Sequence, residues 1–148
     1  MEVQKDFKEF LALLNVHEED FMIVDGYALA YHGAPRYTGD IDVFVKPDRK
    51  NAQRIIKVLE EFGFSSLDLS IDDFQNEDNV VQLGLPPVRI DIITSISGVS
   101  WEQADTTKES GFYGNVPVNY IGKKQYVMNK KAIGRAKDIA DIEALGEE

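Results

Sequence analysis

A chain of 148 residues without a cysteine is sized for one domain burying roughly two-thirds of its unfolded surface, and it excludes disulfides, thiolate metal sites and a cysteine nucleophile. Its 16 Lys and Arg against 26 Asp and Glu leave a net charge of −10 at pH 7, which repels polyanions and argues against broad, sequence-independent nucleic-acid binding. No apolar run reaches membrane-spanning length, and the N-terminus lacks the basic and apolar regions of a signal peptide, so the expected location is the cytoplasm.

Val3, Phe7, Phe10, Leu11 and Leu14 recur at helical spacing and predict an amphipathic helix over 3–15. Phe21–Val24 reads as a short apolar strand, and 26–32 as a helix that ends near Gly33, ahead of Pro35. The run Asp40-Ile41-Asp42-Val43-Phe44-Val45 has the β-branched and aromatic content of a strand. Pro47-Asp48 opens a helix over 48–62, with Gly63 as its C-terminal cap. A strand is expected at 67–71, an acidic loop at 72–79, and two further strands at 80–85 and 88–94, joined through Pro86-Pro87. Beyond Gly98 an irregular stretch is expected as far as Gly114; a strand over 116–121 and helices over 122–132 and 135–146 complete the chain, the last with Ile139, Ile142 and Leu145 on one stripe. Interleaved strands and helices without a repeat or linker point to one α/β (or α+β) domain over 1–148.

The chemistry concentrates in acidic residues on strands. Side chains alternate along a strand, so Asp40 and Asp42 share a face, with roughly 6–7 Å between their Cα atoms, while Ile41 and Val43 take the other. Asp91 stands in Val-Arg-Ile-Asp-Ile-Ile, where a buried strand should carry no unpaired charge. With strand 88–94 beside strand 40–45, the three carboxylates converge and suit Mg²⁺ or Mn²⁺. Such ions polarise a phosphoryl group and lower the pKa of an attacking hydroxyl. Upstream, Gly26 at a strand-to-helix turn lets backbone N–H groups approach an anion, and Arg36 and Thr38 offer a guanidinium and a hydroxyl to phosphate oxygens. Structural alternatives stand beside these readings. Asp91 could pair with Arg89, Asp40 could cap a turn after Gly39, Asp42 could bond Arg36, and Gly26 could serve the turn alone.

Val24, Gly26, a thirteen-residue spacer, Asp40-Ile41-Asp42-Val43 and the later Asp91 resemble the motif of the DNA polymerase β-type nucleotidyltransferase superfamily. More narrowly, Gly26-Tyr-Ala-Leu-Ala-Tyr-His-Gly33, Arg36-Tyr-Thr-Gly-Asp-Ile-Asp42, Arg89-Ile90-Asp91 and Arg135-Ala-Lys-Asp-Ile-Ala-Asp-Ile142 resemble the small bacterial nucleotidyltransferases grouped with abortive-infection toxins. The resemblance spans about residues 21–145. It implies a nucleotidyltransferase-like mixed sheet flanked by helices, an NTP substrate, and metals held by Asp40, Asp42 and Asp91. It further implies that Gly26 and the backbone of Tyr27 cradle phosphate, and that Lys130 or Lys137 reaches the triphosphate. Lys137 as a partner of Asp141 at i+4 is the structural alternative.

The implied reaction moves a nucleoside monophosphate from an NTP to a hydroxyl on an RNA 3′ end, a protein or a small molecule, with a possible cognate partner protein. Six of the sixteen basic residues fall within 123–137 and offer either a dock for a short RNA end or a solvated helical face. One position departs from the pattern: Asp25 stands where the family's turn has its first glycine. A carboxylate there repels a triphosphate unless it points away, binds metal or pairs with Arg36. It therefore favours the alternative of a non-catalytic nucleotide- or partner-binding module that keeps the fold.

Overall fold

In the computed structural model, which describes residues 3–64 and 68–147, six strands form one mixed sheet accompanied by seven helices. Helix α1 (Lys5–Val16) leads into β1 (Phe21–Val24), α2 (Asp25–Tyr31), β2 (Asp40–Val45) and α3 (Arg49–Phe62). The one-turn helix α4 (Asp72–Gln75), β3 (Val80–Leu83) and β4 (Arg89–Ile93) follow, then α5 (Trp101–Thr107), β5 (Glu109–Tyr113), β6 (Val116–Tyr120), α6 (Lys123–Ile133) and α7 (Ala136–Ala144). Among the described residues no helix is long and apolar enough to cross a membrane.

The strand order is β3-β4-β2-β1-β6-β5. β2 runs parallel to β4 and antiparallel to β1; β1 runs parallel to β6, and the hairpins β3–β4 and β5–β6 are antiparallel. The central strands β1 and β2 are apolar because neighbours and helices cover them: Met22, Ile23, Ile41 and Val43 are fully buried. Phe7, Phe10, Leu11 and Leu14, predicted as the inner stripe of the first helix, are buried likewise, whereas Val3 precedes α1 and lies 44% exposed.

Helix α3 starts and stops as its caps dictate. The Asp48 side chain accepts from the Asn51 backbone N–H at 2.7 Å, and Gly63 adopts the left-handed conformation (φ 102°) at the C-terminus. Asn51 also ties α3 to the sheet. Its side-chain oxygen accepts from the Asp20 N–H at 2.8 Å, while its amide donates to the Asp20 and Lys46 carbonyls at 3.0 Å each. Asn51→Ala leaves these three backbone groups without their partner at a site only 1% exposed. A loss of about 2 kcal/mol in urea unfolding is expected; a loss near zero would show that water replaces the amide.

Several sequence expectations give way. Leu67 lies outside the described residues, and 68–71 form no strand. The predicted acidic loop contains α4, whose Phe74 is fully buried and anchors the turn against the core. The stretch expected to be irregular contains α5 and β5. Ser100 and Gln103 form a reciprocal capping box that starts α5 at Trp101, and β5 alternates weakly because it is an edge strand with Phe112 65% exposed. On α7 the proposed stripe is incomplete: Ile142 is buried and Leu145 packs at the core's margin, but Ile139 faces outward.

Candidate active site

The pleat of β2 and its pairing with β4 assemble the acidic cluster. The parallel register sets Asp42 opposite Asp91 and Asp40 opposite Arg89. One carboxylate oxygen from each of Asp40, Asp42 and Asp91 lies within 4.8 Å of the others. The three residues that the sequence separates by up to 51 positions therefore share one site.

Arg89 neutralises part of this charge. Its Nε and Nη2 donate to Asp91 at 2.9 and 3.1 Å, and Nη2 donates to Asp40 Oδ2 at 2.9 Å. The structural alternative for Asp91 is thus realised and coexists with convergence on Asp42. Thr38 Oγ1 donates toward Asp40 Oδ1 and its carbonyl, both at 3.0 Å, which orients the carboxylate at the strand's first residue. Burial pushes Asp40 upward, but hydrogen bonding with Asp91, Thr38 and Arg89 outweighs it and holds that carboxyl below its ordinary range. Asp42 has no such relief. Burial, with the charges of Asp25, Asp40 and Asp91, pushes its carboxyl up to about 9. Burial also raises Asp91, against the pull of Arg89. A cluster with three carboxylates and one guanidinium retains excess negative charge at neutral pH, and its all-oxygen donor set matches a hard divalent cation.

A polar cleft of about 250 Å³ opens beside the cluster, lined by Asp25, Gly26, Thr38, Asp40, Asp42 and the cations Arg36, Lys130, Arg135 and Lys137. Of the residues expected to meet a nucleotide, Gly26, Arg36, Thr38, Lys130 and Lys137 therefore line one surface. The Tyr27 side chain is instead buried edge-on against Phe7 and Tyr113, at 5.9 and 5.6 Å between ring centroids. A side chain at Gly26 would crowd Thr38. A Cβ there would stand 3.2 Å from both Cβ and Oγ1 of Thr38, the residue that orients Asp40. The left-handed backbone of this turn falls one residue earlier, on Asp25 (φ 57°).

Ion pairing differs from the expectation. Asp25 pairs with Lys130, and Arg36 donates to Asp141 at 3.2 Å, so Arg36 serves neither Asp25 nor Asp42. Asp141, occupied by Arg36, makes no pair with Lys137 among the described residues. The remaining members of the network, Arg135 and Asp138, lie in the Arg135–Ile142 stretch of the sequence resemblance, which gave neither a role in the site. Asp138 is fully buried; Arg135 grips it through Nε and Nη2 at 2.7 and 3.1 Å and so holds its carboxyl below the ordinary range, with Lys130 Nζ 3.9 Å away. The Arg135-x-x-Asp138 spacing at the start of α7, where the Asp138 carboxylate accepts from the Arg135 backbone N–H at 3.1 Å, is the signal that could have found it. His32 bonds the Ile121 carbonyl at 2.7 Å, a structural use.

A mixed six-stranded sheet of this order flanked by helices is a nucleotidyltransferase-like fold. Among solved structures, a Thermotoga maritima protein provisionally assigned as a nucleotidyltransferase (TM1012) aligns with a TM-score of 0.62 at 13% identity, over 93% of this chain and 88% of that one. The lincosamide antibiotic adenylyltransferase LnuA, solved with lincomycin bound, aligns with a TM-score of 0.58 at 13% identity, over 99% and 98%. An antigenic nucleotidyltransferase-like protein from Paracoccidioides brasiliensis gives a TM-score of 0.54 at 20% identity, over 97% and 77%. No family model and no curated protein sequence matches the chain.

Proposed function

We propose that residues 1–148 are one nucleotidyltransferase domain that moves a nucleoside monophosphate from an NTP to a hydroxyl acceptor with help from Mg²⁺ or Mn²⁺. The observation that carries this reading is the convergence of Asp40, Asp42 and Asp91 beside a cleft with four cationic side chains. Fold neighbours that include an adenylyltransferase support it. Asp40, Asp42 and Asp91 would hold the metal, which when bound polarises the phosphoryl group and acidifies the attacking hydroxyl.

The chain's own residues account for the rest. Thr38 and Arg89 keep Asp40 and Asp91 oriented, so that little reorganisation is left for the reaction. Gly26 and the Tyr27 backbone leave room for phosphate oxygens, and Arg36, Lys130 and Lys137 face the triphosphate. In the transfer, the acceptor oxygen bonds to the α-phosphorus, the bridge to the β-phosphate breaks, pyrophosphate leaves, and the hydroxyl proton passes to Asp91 or water. The acceptor is an RNA 3′ end, a protein side chain or a small molecule. The narrower sequence likeness to abortive-infection nucleotidyltransferases adds a cognate partner protein to the expected interactions.

The test is calorimetric titration with each NTP and Mg²⁺ or Mn²⁺, alongside an Asp40→Ala/Asp42→Ala variant, followed by transfer assays with α-labelled NTP. Metal-dependent binding that disappears in the variant is expected. Binding that survives in it would place the nucleotide elsewhere. A second reading, a nucleotide- or partner-binding module without turnover, is favoured by the Asp25–Lys130 pair, which engages a cation the triphosphate needs; it predicts binding without label transfer.

A further inference from the structure

Anion binding in this cleft faces a problem of partners. Among the described residues, three of the four lining cations already hold a carboxylate: Arg36 holds Asp141, Arg135 holds Asp138, and Lys130 holds Asp25. Lys137 alone among them has no ion pair. A triphosphate carries more charge than one lysine can balance, so a pair that opens at low cost adds most to anion binding.

The pairs are unequal in what opening costs. Asp138 and Asp141 have 0% and 9% of their side chains exposed, so freeing Arg135 or Arg36 strands a buried carboxylate, a penalty that the new contact must first offset. The Asp25 side chain is 32% exposed and can rehydrate in place. Lys130 is itself 5% exposed at the cleft wall, over the Tyr126 ring and with Asp138 at 3.9 Å as a second anchor, so it stays held and aimed when Asp25 lets go. Asp138 meanwhile keeps its three bonds from Arg135, two from the guanidinium and one from the backbone N–H.

We infer, on the reading that the cleft takes a triphosphate, that Asp25 is an affinity-setting residue: it holds the Lys130 ammonium as an internal substitute for phosphate, and a polyphosphate anion binds by displacing it. Asp25 is then a built competitor, its carboxylate on the Lys130 ammonium at the wall of the cleft. The pair belongs to the chain without nucleotide, and Lys130 exchanges one anionic partner for another.

The probe is inorganic tripolyphosphate with Mg²⁺, titrated calorimetrically into the full chain as wild type, Asp25→Asn, Lys130→Gln and the double variant. Asn tolerates the left-handed backbone and keeps the shape of Asp while removing its charge. Asp25→Asn should bind about tenfold more tightly than wild type, the double variant should bind like Lys130→Gln, and Lys130→Gln should bind more weakly than wild type. An unchanged or weakened affinity in Asp25→Asn overturns the inference. So does an equal gain from Asp25→Asn in both lysine backgrounds, because the carboxylate then acts by general repulsion and not through Lys130. Circular dichroism confirms folding, and Asp25→Gly, which relieves the backbone as well, repeats the measurement if the Asn variant fails to fold. Asp42→Asn separates the two levels. Wild-type Mg²⁺–NTP binding that Asp42→Asn abolishes upholds the functional reading even where the Asp25 cycle shows no coupling, whereas no polyphosphate binding in any variant overturns both.

Discussion

Asp42→Asn should leave a more stable protein that has lost the nucleotidyl transfer proposed above. Asparagine keeps the shape of Asp42 but removes a negative charge that burial and three neighbouring carboxylates disfavour. In the metal-free protein at pH 8 a gain on the order of 2 kcal/mol is expected, while the proposed nucleotidyl transfer should fall on the order of a thousandfold because one of the three converging carboxylates becomes a neutral amide, a weaker ligand for a hard cation. The pH dependence follows from the same carboxyl. Its folded pKa of about 9 lies above its ordinary 3.8, so the stability it contributes is complete below pH 3.8 and is lost as pH rises toward 9. Mg²⁺ should flatten that slope in the wild type by favouring the ionised carboxylate, and should do nothing for Asp42→Asn. Thermal unfolding from pH 5 to 9 with and without Mg²⁺ checks all of this. A variant less stable than the metal-free wild type at pH 8 would show that Asp42 is held by structural contacts that outweigh its neighbours' repulsion.

A second stability gain, independent of metal, is expected at Glu19. Its carboxyl is 7% exposed with neither oxygen hydrogen-bonded, and burial, aided by Asp20 against the pull of Arg54, raises its pKa from 4.5 to about 9. The sign is that of Asp42: its contribution is complete below pH 4.5 and disappears as pH rises through about 9. Glu19→Met keeps the bulk without the ionisable group and should stabilise the fold by about 3 kcal/mol at pH 8, with little change at pH 4.5. Because Glu19 belongs to a different cluster from Asp42, its share of the pH slope should be insensitive to Mg²⁺. Two variants and one cation therefore resolve the slope into two parts. If Glu19→Met unfolds at lower temperature than wild type at pH 8, the carboxylate is hydrated and held by Arg54 instead.

The site was legible in proportion to how local its causes are. Asp40 and Asp42 share a face because β2 alternates, and six residues of apolar and acidic character suffice to say so. Helix α3 is bounded by Asp48 and Gly63, whose effects reach only one turn. The buried stripe of α1 follows from periodicity alone. By contrast, α5 was missed because Ser100 and Gln103 act as a pair three apart, and β5 because an edge strand need not alternate cleanly. Sequence left Asp25 three outlets, pointing away, binding metal or pairing with Arg36; the fold instead gives Arg36 to Asp141 and Asp25 to Lys130, 105 residues away.

Composition, the glycine turn, the Asp-Ile-Asp strand and the Asp91 strand, all short-range patterns, by themselves determined which residues make up this protein's candidate site: three carboxylates on apolar strands and a glycine turn ahead of them. Tertiary structure alone decided that β4 runs parallel to β2 in the register that sets Asp91 across from Asp42, that Arg89 bridges Asp40 and Asp91, and that Lys130 is held by Asp25. Register and ion pairing depend on which distant segments pack together and on how much water each carboxylate keeps, and neither quantity is written in the neighbours of a residue along the chain.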